Sequence, residues 1–351
     1  MARCRSQRRI SATLPRRNLL IGAASLALAA CGEKKTLTAS HTPTLDMARL
    51  DKEVGALALR AKPGILGFGL TNLESGQYYT LNGDRRFPMQ SVFKAALGAA
   101  VLAEVDAGRL PLAETVQLSG LQLSPPHSPI ADAWPERRDY TLDELLVAAV
   151  SDSDNTAADV LMKRIGGPGA VTAWLRSKNV DELRVDRYER ELQPDVYGVA
   201  SFRAAWRGPG FATAVASVPP DKRRAAMAAY VDDPRDTATP RGMLVFLSKL
   251  VEGELLSAAS TRRLIGIMAQ SQRAGDRIKA GLPRGARFAH KPGTAGVDQG
   301  YCPAYNDVGI ATLPDGRNYA VAAFLSGSTV SDEARASLFA DLGRVIGRSV
   351  G

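Results

Sequence analysis

Ser91-Val92-Phe93-Lys94 sets a hydroxyl and an amine three residues apart at the head of an apolar run. If that run is a helix, Lys94 lies on the face of Ser91, one turn on. The Ser91 hydroxyl then sits at the positive end of the helix dipole. A lysine partly withdrawn from water loses proton affinity, so it can take the serine proton and make the hydroxyl a nucleophile. That is acyl-transfer chemistry. A capping serine beside a snorkelling lysine is the plain alternative, because S-x-x-K alone is a weak motif. Other machinery is scarce. Histidine occurs only as His41, His127 and His290, without metal-ligand spacing. No Gly-rich phosphate loop precedes a helix, and no G-x-S-x-G run supports a Ser-His-Asp arrangement. No metal or other cofactor is expected.

Ser153-Asp154-Asn155 and Lys291-Pro292-Gly293-Thr294 follow in order. With S-x-x-K they resemble the three signature elements of the class A serine β-lactamases and related penicillin-recognising serine hydrolases. The likeness continues in VSDSDNTAADVLM from Val150, DRYERELQ from Asp186, RDTATPRGM from Arg235 and GELL from Gly253. It covers residues 48–350.

The resemblance implies roles. Ser91 resembles the acylated nucleophile, and its N–H with that of Thr294 would form the oxyanion hole, usually a large catalytic term. Lys94 would lie among Ser91, Ser153, Asn155 and Glu189 and shuttle protons. Ser153 would pass a proton to the leaving lactam nitrogen. Asn155 would hold the substrate's side-chain amide, and Lys291, with Gly293 and Thr294 beside it, would bind near the substrate carboxylate. Glu189 and Gln193 would hold the deacylating water. Whether Lys94 or Glu189 is the acylation base is disputed for the family; the deacylation role is accepted. His127 would edge the cleft, and Arg335 would be a second cation for the carboxylate. By residue type alone, Glu189 is a solvated loop acid beside Arg187 and Arg190, His127 an exposed loop histidine, and Arg335 a surface helix arginine.

The implied function is that of a serine β-lactamase acting on a small-molecule β-lactam. One competing reading is a D-alanyl-D-alanine peptidase that hydrolyses lactam adducts slowly. Another is a lactam-binding sensor without turnover. The Glu189/Gln193 pair favours the lactamase, and intact Ser91 and Lys94 weigh against the sensor.

Two features depart from the family pattern. The third element should read Lys, then Thr or Ser, then Gly, but Pro292 stands in the middle. Proline has neither hydroxyl nor backbone N–H, so it must occupy a strand-edge position that needs no donor. The second departure is the loop 187–236. Arg187 resembles the neck arginine of the omega-loop and Asp236 its partner, and the two are expected to pair. Their separation is about 34 residues longer than the family pattern implies, and extra loop length adds little closure entropy. The excess holds Phe202, Trp206, Pro219-Pro220 and a helical run over 221–230, expected to form a lid or cleft wall.

The elements that must position these groups are legible from periodicity. Helical spacing is seen over 45–60, 91–107, 156–165, 243–252, 260–270 and 331–347. Thr141 and Glu144 make a capping box before 145–150. Strand-like runs occupy 65–71, 77–81, 287–291, 307–313 and 319–326. Strands at both ends with helices between imply an α+β fold: an antiparallel sheet built from both chain ends, flanked by helices, with an all-helical subdomain inserted over about 88–258.

Length and charge agree with one large catalytic body. The 351 residues are 45% hydrophobic and 23% charged, ordinary for a globular chain. The net charge of +9 is misleading, because Arg3, Arg5, Arg8, Arg9, Arg16 and Arg17 all fall in an acid-free segment 1–30. Without them the remainder carries +3, which argues against a nucleic-acid binder. The apolar run 19–30 would span about 18 Å as a helix, short of the roughly 30 Å bilayer core, and reads as a signal peptide. Arg16-Arg17-Asn18-Leu19-Leu20 resembles a twin-arginine signal, and Leu28-Ala29-Ala30-Cys31 a bacterial lipobox. Cys31 would then carry lipid, 31–46 would be a flexible tether, and 47–351 the catalytic domain of a periplasmic, membrane-anchored monomer. Cys302 has no partner and reads as a packing residue.

Overall fold

A computed structural model of the chain describes residues 44–350. The expected signal peptide, Cys31 and the tether up to residue 43 lie outside the described residues. Helix α1 (Met47–Arg60) precedes the hairpin β1 (Ile65–Asn72) and β2 (Tyr78–Leu81). Short β3 (Phe87–Pro88) and a 3₁₀ turn (Gln90–Val92) lead into α2 (Phe93–Asp106). Next come β4 (Thr115–Gln117), α3 (Pro129–Asp132), β5 (Asp139–Thr141), α4 (Leu142–Val147), α5 (Asn155–Arg164) and α6 (Pro168–Ser177). The enlarged loop contains α7 (Glu189–Tyr197), α8 (Gly210–Ala216) and α9 (Pro220–Asp232). Then follow β6 (Thr237–Ala238), α10 (Pro240–Glu252), α11 (Ala258–Ala269) and α12 (Ile278–Gly281). Strands β7 (Arg287–Thr294), β8 (Cys302–Thr312) and β9 (Asn318–Ser328) and helix α13 (Asp332–Arg348) close the chain.

The main sheet has the order β2-β1-β9-β8-β7, antiparallel throughout, so strands from both chain ends build it as expected. Its two faces carry separate cores. On one face Leu66, Phe68, Leu70 and Val321 pack with Leu50, Val54 and Leu57 of α1 and with Leu338, Phe339 and Leu342 of α13. The α1 residues recur at the i, i+4, i+7 spacing that gives a helix one apolar stripe. On the other face Ala289, Val308, Ala322 and Phe324 meet α2, α10 and α11. The Asp46 side chain caps α1, the Asp46 N–H donates to Ser349 O, and Leu45 bridges to Val350. Leu45 and Asp46, read from sequence as tether, are therefore part of the folded body.

Helix α2 is buried nearly all round because it is rich in alanine and glycine. Small side chains let α5, α6 and α11 approach it from several sides. It ends at Asp106, where Gly108 turns out of the helix with φ +71°. The Thr141/Glu144 capping box starts α4. A π-helical turn (Ala148–Asp152) follows and ends in Ser153, whose left-handed φ of +65° turns its backbone toward α5.

Strand β8 begins five residues before the expected 307. Pro303, Asn306 and Asp307 break the apolar alternation that marks strands, yet Asn306 and Asp307 are both buried. Helix α6, which the periodicity passes over, begins at Pro168 just after Gly166-Gly167, where a helix stop is the obvious reading. Pro at the first helical position is also a start signal.

The loop 187–236 builds a third, smaller core. Leu192, Val196, Met227 and Tyr230 pack on Ala295 and Ala304 at the β7–β8 end of the sheet. Arg223 of α9 pairs with Asp298 at 2.9 Å, and Arg224 lies over the Tyr301 ring. At its other side Arg207 donates to Trp134 O and stacks on that indole.

Candidate active site

Ser91 follows a strained turn. Gln90 has φ +48°, unusual for a residue with a side chain. The turn is held by Met89 N–H donating to Asp236 O at 3.0 Å. The Asn306 amide donates to Pro88 O and Met89 O at 2.9 and 3.0 Å. Ser91 emerges at the head of α2, and Lys94 lies beneath it with no exposed surface.

Lys94 Nζ is 3.1 Å from Ser91 Oγ, 2.5 Å from Asn155 Oδ1 and 2.8 Å from the Ser153 carbonyl oxygen. Glu189 Oε1 lies 2.9 Å away, and both side chains of this pair are fully buried. An ammonium has three hydrogens, so it cannot donate to all four oxygens at once. The contact with Ser153 is through its backbone. The Ser153 hydroxyl instead accepts from Lys291 Nζ at 2.9 Å.

Glu189 opens α7. Its N–H donates to Asp159 Oδ1 at 2.7 Å, and Arg190 N–H to Asp159 Oδ2 at 3.2 Å. A carboxylate at a helix N-terminus is where the dipole favours it. Burial nevertheless pushes the Asp159 carboxyl up to about 6. Gln193 is four residues on, on the same face, and its Nε2 donates to Glu189 Oε2 at 2.8 Å. Arg187 Nε pairs with Asp236 Oδ2 at 2.6 Å across the loop's neck, as expected from sequence.

Strand β7 is the sheet edge beside this cluster. Ala295 N–H bonds inward to Ala304 O. By antiparallel alternation the Thr294 N–H and the Pro292 nitrogen face the free edge. Proline thus sits where no ladder donor is lost, as its chemistry requires. Lys291 is fully buried, and burial, followed by the nearby Lys94 charge, lowers its proton affinity well below the usual lysine range. On the opposite face of β7, His290 Nδ1 lies 2.7 Å from Asp307 Oδ1, away from the cleft.

A cleft of about 370 Å³ opens over Ser91. Gln90, Ser153, Asn155, Gln193, Pro292 and Thr294 line it, and His127 stands at its rim. His127 Nε2 contacts Asp152 O at 3.0 Å, and burial holds its ring below the usual histidine range. Lys94, Glu189, Lys291 and Gly293 do not line the cleft; they lie behind its wall.

Arg335 is not the second cation of the cleft that the family likeness implied. It is buried on α13, bonds to Val330 O and Asp332, and does not reach the cleft. Arg277 instead lines the cleft beside Thr294. Its Nη2 donates to Thr294 Oγ1 at 2.6 Å, its Nη1 to Asn306 O at 2.7 Å, and its guanidinium stacks 3.7 Å above the Tyr305 ring. Sequence reading missed Arg277, Arg273 and Tyr197, all of which line the cleft. Arg273 and Arg277 come from a loop without periodicity. Tyr197 ends α7, and the enlargement beyond it contributes no residue to the lining. The inserted segment is a buttress behind the wall rather than a lid.

A family model described as the beta-lactamase enzyme family matches residues 49–350. Beta-lactamase L2 of Stenotrophomonas maltophilia is 31% identical over 330 residues, covering 94% of this chain and 95% of its own. Beta-lactamase VEB-1 of Pseudomonas aeruginosa is 28% identical over 290 residues, covering 82% of this chain and 86% of its own. Among solved structures, a beta-lactamase from Chitinophaga pinensis superposes with a TM-score of 0.71 at 31% identity, over 85% of this chain and 97% of its own. An ancestral class A beta-lactamase gives 0.69 at 33% identity, over 85% and 98%. The chain belongs to the beta-lactamase enzyme family, within its class A serine hydrolases.

Proposed function

We propose that the protein hydrolyses the β-lactam amide bond through an acyl-enzyme on Ser91, released by water that Glu189 activates, and so confers resistance to β-lactam antibiotics. The supporting observation is that one buried amine, Lys94 Nζ, lies within 3.1 Å of Ser91 Oγ and 2.9 Å of Glu189 Oε1. The Lys94–Glu189 pair takes up the Ser91 proton as Oγ bonds to the lactam carbonyl carbon. The oxyanion meets the N–H groups of Ser91 and Thr294, fixed dipoles that need no reorganisation. The C–N bond then breaks, and the nitrogen takes a proton from Ser153, resupplied by Lys291 at 2.9 Å. Exchange with bulk water restores Lys291 and Glu189. In the second half Glu189 takes a proton from water oriented with Gln193, the new hydroxide adds to the ester carbonyl carbon, and the bond to Ser91 Oγ breaks as that proton returns through Lys94 to the serine oxygen.

Arg277 and Thr294 supply the cation and hydroxyl for the substrate carboxylate, a role that Lys291, buried behind Ser153, can serve only at longer range. Asn155, anchored through Nδ2 to Pro126 O at 2.6 Å, meets the side-chain amide of the substrate, with His127 at the rim. The apolar run before Cys31 supports export and lipid attachment at that cysteine, with the enzyme acting as a periplasmic monomer.

Electrospray mass measurement with a penicillin tests this reading. Wild type should turn over without a lasting adduct, and Glu189→Ala should hold one acyl group. A long-lived adduct in both would favour the cell-wall peptidase or a sensor. No adduct in either would remove Ser91 from its role.

A further inference from the structure

The general base is joined by hydrogen bonds to the inserted helix α9, and the direction of that chain can be worked out from one end. A carboxylate only accepts, so Gln193 must turn its amide nitrogen to Glu189 Oε2, 2.8 Å away. The second hydrogen of that nitrogen reaches Gln90 Oε1 at 3.2 Å. Gln90 therefore presents its own nitrogen outward, and it donates to the Tyr230 hydroxyl at 2.8 Å. Both amides are fixed in rotation. Gln193 Oε1 is left free of these bonds, on a side chain that lines the cleft. Tyr230 and Gln90 are almost fully buried, and burial pushes the phenol far above its usual range, so it remains a hydroxyl.

We infer that Tyr230 is a positioning residue for deacylation, acting through Gln90 and Gln193 on Glu189. The inference rests on the role proposed for Glu189 and assigns a task to the enlarged loop: it anchors, from behind, the amide that orients the hydrolytic water. Removing the Tyr230 hydroxyl leaves the Gln90 nitrogen without an acceptor in a buried place. Such an orphaned donor costs about as much as a hydrogen bond supplies. Gln90 then turns toward the open cleft and releases the second hydrogen of the Gln193 nitrogen, so the amide beside Glu189 keeps only one of its two tethers and is held less firmly against the carboxylate. Ser91 and Lys94 make no bond to Tyr230 or to the Gln90 side chain, so acylation keeps its machinery.

Tyr230→Phe keeps the ring that packs near Arg187 and deletes only the hydroxyl. Stopped-flow kinetics with a chromogenic cephalosporin, paired with quenched mass spectrometry, separate the two half-reactions. Deacylation should slow roughly tenfold, the factor carried by one neutral hydrogen bond, with acylation within about twofold of wild type. Gln90→Met should slow deacylation at least as much, and adding Tyr230→Phe to it should slow deacylation no further, because both substitutions break one chain. Equal slowing of both half-reactions, or additive defects in the double variant, would mean that Tyr230 merely supports the fold and would overturn the inference. So would a wild-type deacylation rate in Tyr230→Phe. These outcomes are separable from failure of the parent reading, which would show as no trapped adduct in Glu189→Ala.

Discussion

Gly293 crosses the turn before Ser91 so closely that a Cβ on it would lie 2.3 Å from the carbonyl oxygen of Met89 and 3.0 Å from the Val92 nitrogen. Both neighbours are backbone, and Asn306 already pins that backbone. An added methyl must therefore push β7 and the nucleophile turn apart, separating the Ser91 and Thr294 N–H groups. Gly293→Ala should fold but acylate at least about a hundredfold more slowly, the scale of a displacement near 1 Å at a reacting centre. Acylation within about threefold of wild type would show that the edge strand does not set the oxyanion geometry.

Arg277 is the cation closest to the Thr294 hydroxyl in the cleft. Truncating it removes a charge-assisted contact with the substrate carboxylate, worth about 1.5–3 kcal/mol. Arg277→Ala should raise KM by roughly ten- to a hundredfold and leave kcat within about threefold, since the carboxylate is bound equally in ground and transition states. Lysine cannot reproduce the bonds to both Thr294 and Asn306 O, so Arg277→Lys should recover only part of the loss. A KM unchanged in Arg277→Ala would assign the carboxylate to Arg273 or Lys291.

Asp159 carries a pH signature. Burial raises its carboxyl from the ordinary 3.8 to about 6, so the folded state holds this proton more tightly than the unfolded chain. The stabilisation is complete below about pH 4 and lost as pH rises through 6, amounting to about 3 kcal/mol at 1.36 kcal/mol per unit. Melting temperature measured from pH 4 to 7 should fall relative to Asp159→Asn, which has no proton to lose there. Parallel profiles for the two proteins would reject the shift.

The neck pair should matter for stability and for the second half-reaction. Asp236 Oδ1 accepts from the Asp186 and Arg187 N–H groups at 2.7 and 3.1 Å, while Oδ2 holds the Arg187 guanidinium. Asp236→Asn turns an amide donor against one of these donors. Arg187 keeps Asp195 and Asp233 at 2.8 and 3.2 Å, so the loss should fall near or below the low end expected for a broken buried pair, roughly 2–3 kcal/mol. Urea denaturation should show that loss, and deacylation should slow more than acylation because Glu189 lies two residues from the neck. A variant as stable as wild type would mean that the third core alone holds the loop.

What could be read from sequence was chiefly what is local. Ser91 and Lys94 fall one helical turn apart, Glu189 and Gln193 likewise, and the capping box at Thr141 announces α4 by spacing alone. Contacts made by aperiodic loops left no such trace. Arg277 reaches the cleft because the segment after α11 curls back under β7, and nothing in its neighbours marks it off from Arg335, the cation that the family likeness suggested. Strand β8 was foreshortened for a related reason. Asn306 and Asp307 look like strand breakers in the alternation, yet one is used to tether the nucleophile turn and the other to hold His290. Polar residues spent on tertiary bonds disguise the element that carries them.

Leu192, Val196, Met227 and Tyr230 give the stretch between the two neck residues an oily interior of its own, separate from the two cores beneath the sheet. A region built in this way can detach as one cooperative unit while the rest stays folded, at a free energy below that of global unfolding. Its backbone amides should then exchange with deuterium together and ahead of those in α2. The hydrolytic half of turnover would thereby acquire a thermal ceiling lower than the melting point of the enzyme that houses it.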